Sequence, residues 1–167
     1  LALNSGSQER GQRAGTENVA FAVGLAAALS HAEQHRESNR SHNSKLRDAL
    51  IDGITTIPGS RLNGPRNHRL ANNVNVVFAN VDSEALLIQL DAAGITASSG
   101  SACTSASLEP SHVLQALGLT PDLAAGSLRL TTGLGNTLTQ INQTIDTLRS
   151  LVPKLQVAHV AKLDGVA

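Results

Sequence analysis

The sequence predicts an α/β domain of the two-layer α+β kind, in which helices pack on one short sheet. Segments with the helical spacing of apolar residues alternate with three short segments of strand-like alternation. At 167 residues the chain has the length of one domain. With two Phe and no Trp, Tyr or Met, its core has to be built from Leu, Val, Ile and Ala. We therefore expect a short mixed or antiparallel sheet covered by helices and preceded by a long helix.

The chain opens on a glycine-rich polar turn, residues 1–16, that leads into a predicted long helix, residues 17–55. Thr16 is a suitable N-cap, since its hydroxyl can accept a backbone N–H bond, and the acidic Glu17 suits the first turn. From Val19 to Leu29 the helix is apolar nearly all round. This pattern predicts that the helix is buried against another large surface.

Residues 56–152 form the predicted α/β core. Strand-like patterns mark three segments of it, at 72–79, 95–97 and 127–132. Thr137 and Gln140 have the spacing of a capping box for the last helix. Pro153 is predicted to break or kink that helix, because proline lacks the backbone N–H. Residues 153–167 are then expected to be a loosely ordered tail.

The third strand segment places an arginine on the face opposite its leucines. Leu128 and Leu130 share one face of the strand, whereas Arg129 and Thr131 share the other. If the leucines face the core, Arg129 points to the opposite side. From alternation alone, a surface salt bridge is the favoured explanation over a ligand contact.

The only cysteine, Cys103, lies in a predicted loop at 97–110. No side chain from Ala97 to Ser107 is larger than Thr or Cys, whereas a buried cysteine usually has Leu, Ile and Val around it. The sequence therefore predicts a mobile, solvated loop that carries a thiol. One cysteine cannot form an internal disulfide, and no cluster of metal ligands adjoins it. Nucleophilic attack on another molecule or carriage of a group therefore remains.

Composition argues against several partners. The 13 basic and 13 acidic residues balance, which gives no reason to expect nucleic acid or an anionic membrane surface. No apolar run approaches the length that spans a bilayer. His31 and His35 lie one helical turn apart, but a metal site needs further ligands, so no metal is predicted. A single cysteine suits a reducing cytoplasm, and the start at Leu1 without Met indicates a fragment.

Five motifs in order resemble those of a known family. Residues 98–105, with the sequence SSGSACTS, and 108–114, LEPSHVL, closely resemble the cysteine loop of group I cysteine desulfurases of the NifS/IscS type. Residues 8–18 resemble the Arg-x-Gly-Thr segment of that family. The other resembling segments are 69–73, 82–87 and 127–133. The resemblance runs from about Gly6 to about Leu151.

This resemblance implies a fold and a cofactor. The family is similar in fold to class V aminotransferases, which are fold-type I transferases that use pyridoxal 5'-phosphate, have a small C-terminal α/β domain and act as homodimers. The chain resembles that C-terminal part. The family's Schiff-base lysine follows a histidine upstream of the Arg-x-Gly-Thr segment, and neither Lys45, Lys154 nor Lys162 has this context. Ser5-Gly6-Ser7 also departs from the three glycines usual there.

The resemblance also implies roles for individual residues. Cys103 would take the sulfur of L-cysteine as a persulfide, leaving L-alanine, and pass it to acceptor proteins such as an iron–sulfur scaffold or to a thiolation pathway. Cys103 could also transiently bind a nascent cluster. Arg129 would bind the substrate carboxylate, and Thr16 would contact the cofactor phosphate of the partner subunit, with Arg13 close by. The chain alone would be inactive without the cofactor-lysine domain.

Two alternatives from other classes stay open at this point. The chain could be a non-catalytic sulfur-relay or scaffold-interaction module that accepts a persulfide from an intact enzyme. It could also be an inactive remnant with no independent role.

Overall fold

The computed structural model describes residues 6, 8–99, 111–163 and 165. The described helices are the short 3-10 turn Gln8–Gly11, α1 Val19–Gln34, α2 Arg36–Ile54, α3 Ser83–Ala92, α4 His112–Ala116, α5 Pro121–Ala125 and α6 Leu138–Leu163. The described strands are β1 Ser60–Leu62, β2 Asn73–Phe78 and β3 Ser127–Thr131. The chain divides into two compact units, Leu1–Ser38 and Asn39–Ala167.

In the first unit, α1 begins later than the sequence predicted. Its N-cap is Asn18, whose side chain accepts a hydrogen bond from the backbone N–H of Phe21 at 3.1 Å. The prediction of Thr16 as the cap is therefore wrong by two residues, because Asn18, three residues before Phe21, supplies the acceptor for that donor. The predicted single helix 17–55 is also wrong, since α1 and α2 are separated at His35, which adopts φ −102° and ψ 4°.

The apolar surface of α1 is exposed, contrary to the predicted burial. Phe21 is 78 % exposed, and Val19, Val23, Leu25 and Leu29 are each more than 60 % exposed. No residue of α1 is buried within the described chain. Among the described helices, none has the length and apolar composition required to cross a bilayer.

The second unit contains an antiparallel sheet in the order β1-β2-β3. One face of the sheet is apolar and carries the core, with Val76 paired to Leu62 on one side and to Leu128 on the other. This face packs against α2, α3 and α6, which contribute Leu50, Leu86 and Leu148 among others. The predicted start of the core at residue 56 is wrong, because four residues of α2 are buried in it: Leu46, Leu50, Ile51 and Ile54.

Two of the three predicted strands are confirmed, and one is replaced. β2 and β3 lie within the segments predicted from alternation. The segment 95–97 is not a strand in the described structure, where only an isolated bridge joins Ser98 to Arg129. β1 was not predicted, because three residues are too few to show a period. Its pairing with β2 is a tertiary contact that creates the strand.

Helix α6 continues through Pro153 to Leu163, so the predicted break and the loose tail are wrong up to that residue. The proline removes one helical hydrogen bond, which usually costs about 3 kcal/mol. Burial of Val152 and packing of Leu155 against the core offset that cost. The capping box is confirmed, with Gln140 N donating to Thr137 Oγ1 at 3.3 Å.

The opposite face of the sheet is covered only in part. Val77 of β2 packs there with Leu114, Leu119 and Ala124, which come from α4, α5 and the turn between them. The polar residues of this face lie beyond that small cluster. They form the candidate site.

We predict that Gly126→Ala destabilises the fold. An added methyl group would overlap the carbonyl oxygen of Phe78, and the backbone N–H of Phe78 already donates to the Gly126 carbonyl at 2.9 Å. Overpacking of this kind costs about 1–3 kcal/mol, which urea denaturation measures. Gly135→Ala is the control, because its methyl would meet nothing within 4 Å. An equal loss in both variants would contradict the prediction.

Candidate functional site

Arg129 lies in a row of four residues that crosses the polar face of the sheet. In β3 it is the direct partner of Asn75 in β2, and the backbone N–H of Asn63 donates to the Asn75 carbonyl at 2.9 Å. On the other side, Arg129 exchanges two backbone hydrogen bonds with Ser98, at 2.6 and 3.1 Å. Side chains at directly opposed positions are about 5 Å apart at Cβ. The row therefore brings Asn63, Asn75 and Arg129 together.

A cleft of about 320 Å³ opens over this row. Its floor includes Asn75 and Arg129, and one wall is the loop at Asn63, Gly64 and Pro65. The opposite wall comes from the start of α4, with Ser111 and His112, together with Leu114 and Leu117. The cleft thus has a polar floor and one partly apolar wall. Such a combination suits a small ligand with one charged end.

The Arg129 guanidinium has no partner in the described part of the chain. Leu128 and Leu130 are buried, as the alternation predicted, and Arg129 is exposed on the other face. No carboxylate or carbonyl among the described residues binds its side chain, so the surface salt bridge that alternation allowed is not formed. Five N–H donors are therefore free to bind a carboxylate.

Cys103 lies outside the described residues, as does the predicted loop around it between 100 and 110. Both residues that flank this stretch of chain lie at the cleft or beside it. Ser99 accepts a hydrogen bond from the Oγ of buried Ser127 at 2.5 Å, and Ser111 lines the cleft wall. Cys103 follows Ser98 by five residues.

Arg69 also lines the cleft, but hydrogen bonds to backbone carbonyls engage most of its donors. Its Nη2 donates to the carbonyls of Asn63 at 2.7 Å and Gly64 at 3.2 Å, and its Nε donates to the carbonyl of Pro65 at 2.8 Å. These bonds hold the loop wall in place. Burial, and then the nearby charges of Arg47 and Arg66, lower the pKa of Arg69 from its usual value.

Asn63 and Asn75 form a paired amide beside Arg129. Asn63 is 4 % exposed, and its Nδ2 donates to the Oδ1 of Asn75 at 2.6 Å. The buried Oδ1 of Asn63 accepts no hydrogen bond from the described residues. An unsatisfied buried acceptor costs about 1–3 kcal/mol. The unsatisfied oxygen therefore lowers the stability of the fold, and a buried polar group of this kind calls for a functional explanation.

The turn that contains Thr16 belongs to the first unit and is described by itself. Thr16 is exposed, and its hydroxyl makes no hydrogen bond within the described chain. The Nη1 of Arg13 donates to the carbonyls of Gly15 at 3.0 Å and Thr16 at 2.9 Å. A free hydroxyl with a guanidinium fixed beside it fits the edge of a phosphate group.

The histidine pair in α1 does not form a metal site. The His35 Nδ1 lies 2.8 Å from the carbonyl of His31, and the two ring centroids are 4.2 Å apart. Among the described residues, no group of three His, Cys, Asp or Glu side chains could hold a metal ion. The Nδ1 of His35 is thus engaged by its own helix.

Sequence reasoning missed three residues of the cleft. Asn63 and Asn75 received no role, and Arg69 appeared only as part of a motif. The alternation that placed Val74 and Val76 in the core also placed Asn75 on the opposite face, so this residue could have been found. The position of Asn63 depends on the pairing of β1, which the sequence did not show.

A second cleft, of about 650 Å³, lies on another part of the same unit. It is lined by Ile95 and Thr96, by the end of β3 and by the first turns of α6, including Gln140 and Thr144. It contains no ionisable side chain. The first cleft is therefore the better candidate for chemistry.

The chain is similar in sequence to known proteins. Residues 4–144 match the family model described as aminotransferase class-V. The chain is 48% identical over 154 residues to the cysteine desulfurase IscS of Methanosarcina thermophila, covering 92% of this chain and 38% of that protein. It is 44% identical over 155 residues to the IscS of Dictyoglomus turgidum, covering 92% and 39%.

A solved structure has the same fold. A NifS-like protein superposes on the chain with a TM-score of 0.76 at 28% sequence identity, covering 92% of this chain and 38% of that one. The chain therefore spans about two fifths of the length of these three proteins.

We predict that Arg69→Lys loosens the loop wall of the cleft. A lysine ammonium has three donors on a flexible stem and cannot span the carbonyls of Asn63, Gly64 and Pro65 together. Loss of charge-assisted bonds should lower the free energy of unfolding by about 1.5–3 kcal/mol. Hydrogen exchange of the backbone N–H of Asn63 should become faster.

Arg66→Lys is the matched control. Arg66 lies in the same loop and forms a half-exposed ion pair with Asp52, of the kind that contributes about 0–1 kcal/mol. If both substitutions have the same small effect, Arg69 does not organise the wall.

Proposed function

This chain belongs to the class-V aminotransferase family, and on that premise we propose that it forms the C-terminal part of a cysteine desulfurase. In this proposal Cys103 takes the sulfur of L-cysteine and Arg129 binds the substrate carboxylate. The observation that carries it is the unpaired guanidinium of Arg129 in a cleft beside which both flanks of the Cys103 segment lie. The identity to IscS proteins supports the same conclusion.

Arg129 would orient the amino-acid substrate. Its planar fork matches the two oxygens of a carboxylate, and the buried leucines on either side hold the strand so that the fork faces the cleft. Fixing the carboxylate leaves the thiol-bearing end of the substrate directed into the cleft. Orientation of this kind lowers the barrier to a reaction between two groups held close together.

Cys103 would act as the nucleophile. Its thiolate attacks the substrate sulfur, a bond forms between the two sulfur atoms, and the bond between that sulfur and the substrate β-carbon breaks. The pair of electrons from the broken bond stays on the carbon, which takes up a proton and leaves as L-alanine. Cys103 retains the transferred sulfur as a persulfide, so atoms and electrons balance.

Thr16 and Arg13 would contact the phosphate of pyridoxal 5'-phosphate in a second subunit. The free hydroxyl of Thr16 and the fixed guanidinium of Arg13 support this assignment. When bound, the cofactor supplies an electron sink for carbanion chemistry at the substrate. None of the lysines of this chain has the histidine context of the Schiff-base lysine. A homodimer and an upstream cofactor domain are thus parts of the proposal.

The persulfide needs an acceptor protein and a reducing environment. We propose that Cys103 hands its sulfur to an acceptor protein, such as an iron–sulfur scaffold, and could contact a nascent cluster on that protein. A single unpaired thiol suits the reducing cytoplasm.

The first test is Cys103→Ser in the full-length protein loaded with pyridoxal phosphate. Serine lacks the nucleophilic sulfur, so persulfide formation should fall below detection in mass spectrometry, while the absorbance of the bound cofactor persists. The chain of 167 residues alone, mixed with L-cysteine and the cofactor, should release no alanine. Persulfide in the Cys103→Ser variant, or alanine from this chain alone, would contradict the proposal.

The second test is Arg129→Lys. Since lysine cannot form the bidentate contact, kcat/KM for L-cysteine should fall about ten- to a hundredfold, which corresponds to about 1.4–2.7 kcal/mol. Arg61→Lys is the control, because Arg61 is exposed on the same sheet face but does not line the cleft. Equal effects of the two variants would refute the role of Arg129.

A further inference from the structure

We propose that Asn75 is a second contact for the substrate carboxylate and that Asn63 is the residue that positions it. This inference rests on the proposed function and extends it to residues that neither the comparisons nor the sequence motifs assign. It would make the cleft selective for thiols that carry an α-carboxylate.

The position of Asn75 follows from the register of the sheet. Asn75 is directly opposite Arg129 in the pairing of β2 with β3, so both side chains project from the same face into the same cleft. A carboxylate held by Arg129 would then lie within reach of the Asn75 amide. Arg69 lines the cleft too, but three hydrogen bonds hold it to carbonyls of the loop wall.

The orientation of the Asn75 amide is fixed by Asn63. The Oδ1 of Asn75 accepts from the Nδ2 of Asn63 at 2.6 Å, on the β1 side of the strand. Because this bond occupies Oδ1, the Nδ2 of the same amide is directed away from Asn63. Neither N–H of that Nδ2 has a partner within the described chain. These two donors are available to a carboxylate that Arg129 holds in the same cleft.

The chemistry of the pair suits a carboxylate. An ionised carboxylate has about four acceptor positions, more than one guanidinium fork occupies. A neutral amide adds donors without adding a second charge that would have to be desolvated. Asn63 is buried at 4 % exposure and held through its own carbonyl by Arg69, so the donor is held in place before the ligand arrives.

The test compares L-cysteine with cysteamine, which lacks the carboxylate, in the full-length cofactor-loaded protein. Asn75→Ala should raise KM for L-cysteine about tenfold, the loss of one charge-assisted hydrogen bond. The inhibition constant of cysteamine should change less than about twofold, and kcat should fall less than about threefold, because the amide does not touch the reacting sulfur.

Asn75→Asp separates a binding role from a structural one. Aspartate keeps the shape and the bond from Asn63 but replaces the donors with a negative charge. We expect KM to rise about a hundredfold, more than for alanine, whereas a purely structural residue would tolerate aspartate better. Asn63→Ala should raise KM for L-cysteine alone, by a smaller factor. Asn142→Ala, on the exposed side of α6, should leave all values unchanged.

Equal changes for L-cysteine and cysteamine in Asn75→Ala, or a milder effect of Asn75→Asp, would overturn the proposal. If Asn63→Ala does not fold, the half-buried Asn75 variants decide alone. If the unaltered protein releases no alanine, the proposed function fails instead. The side-chain amide signal of Asn75 in NMR then decides this inference, because it should shift with L-alanine and not with ethylamine, and an unchanged signal refutes it.

Discussion

The pairing of β3 with its two neighbours is the constraint on which the site depends. Backbone hydrogen bonds join β3 to β2 on one side and to Ser98 on the other. Burial of Leu128 and Leu130 fixes which face of β3 meets the core, and so Arg129 has to face the cleft. A slip of one residue would bury the charged guanidinium and expose the leucines. Both changes cost free energy, so this register is strongly favoured. The same ladder anchors the chain just before the segment that holds Cys103.

The cleft is assembled by polar contacts that lie outside the hydrophobic core. Arg69 binds carbonyls of the loop wall, Asn63 binds Asn75, and one buried oxygen of Asn63 is left without a donor. These contacts position one another: Arg69 holds Asn63, and Asn63 holds Asn75. Asn75 in turn lies opposite Arg129. The core beneath, formed by α2, α3 and α6, supplies the stability that this arrangement requires.

The first unit, unlike the second, has few buried side chains among its described residues to stabilise it. Its helix α1 carries large apolar side chains that are mostly exposed. The turn before it holds Glu9 and Arg10 in left-handed conformations that cost about 1–2 kcal/mol per residue. Neither feature stabilises the unit by itself. The exposed Thr16 hydroxyl and the Arg13 contacts nevertheless form an edge suited to an anion.

The sequence by itself determined the strands β2 and β3, the capping box of α6, the face on which Arg129 lies and the family. These depend on local periods, on side chains that satisfy nearby backbone groups and on motifs that can be read along the chain. Tertiary structure alone decided the rest. β1 exists because it pairs with β2, α6 passes Pro153 because the core buries both sides of that turn, and Asn63 meets Asn75 across two strands. Such contacts join residues distant in sequence, and no local pattern encodes them.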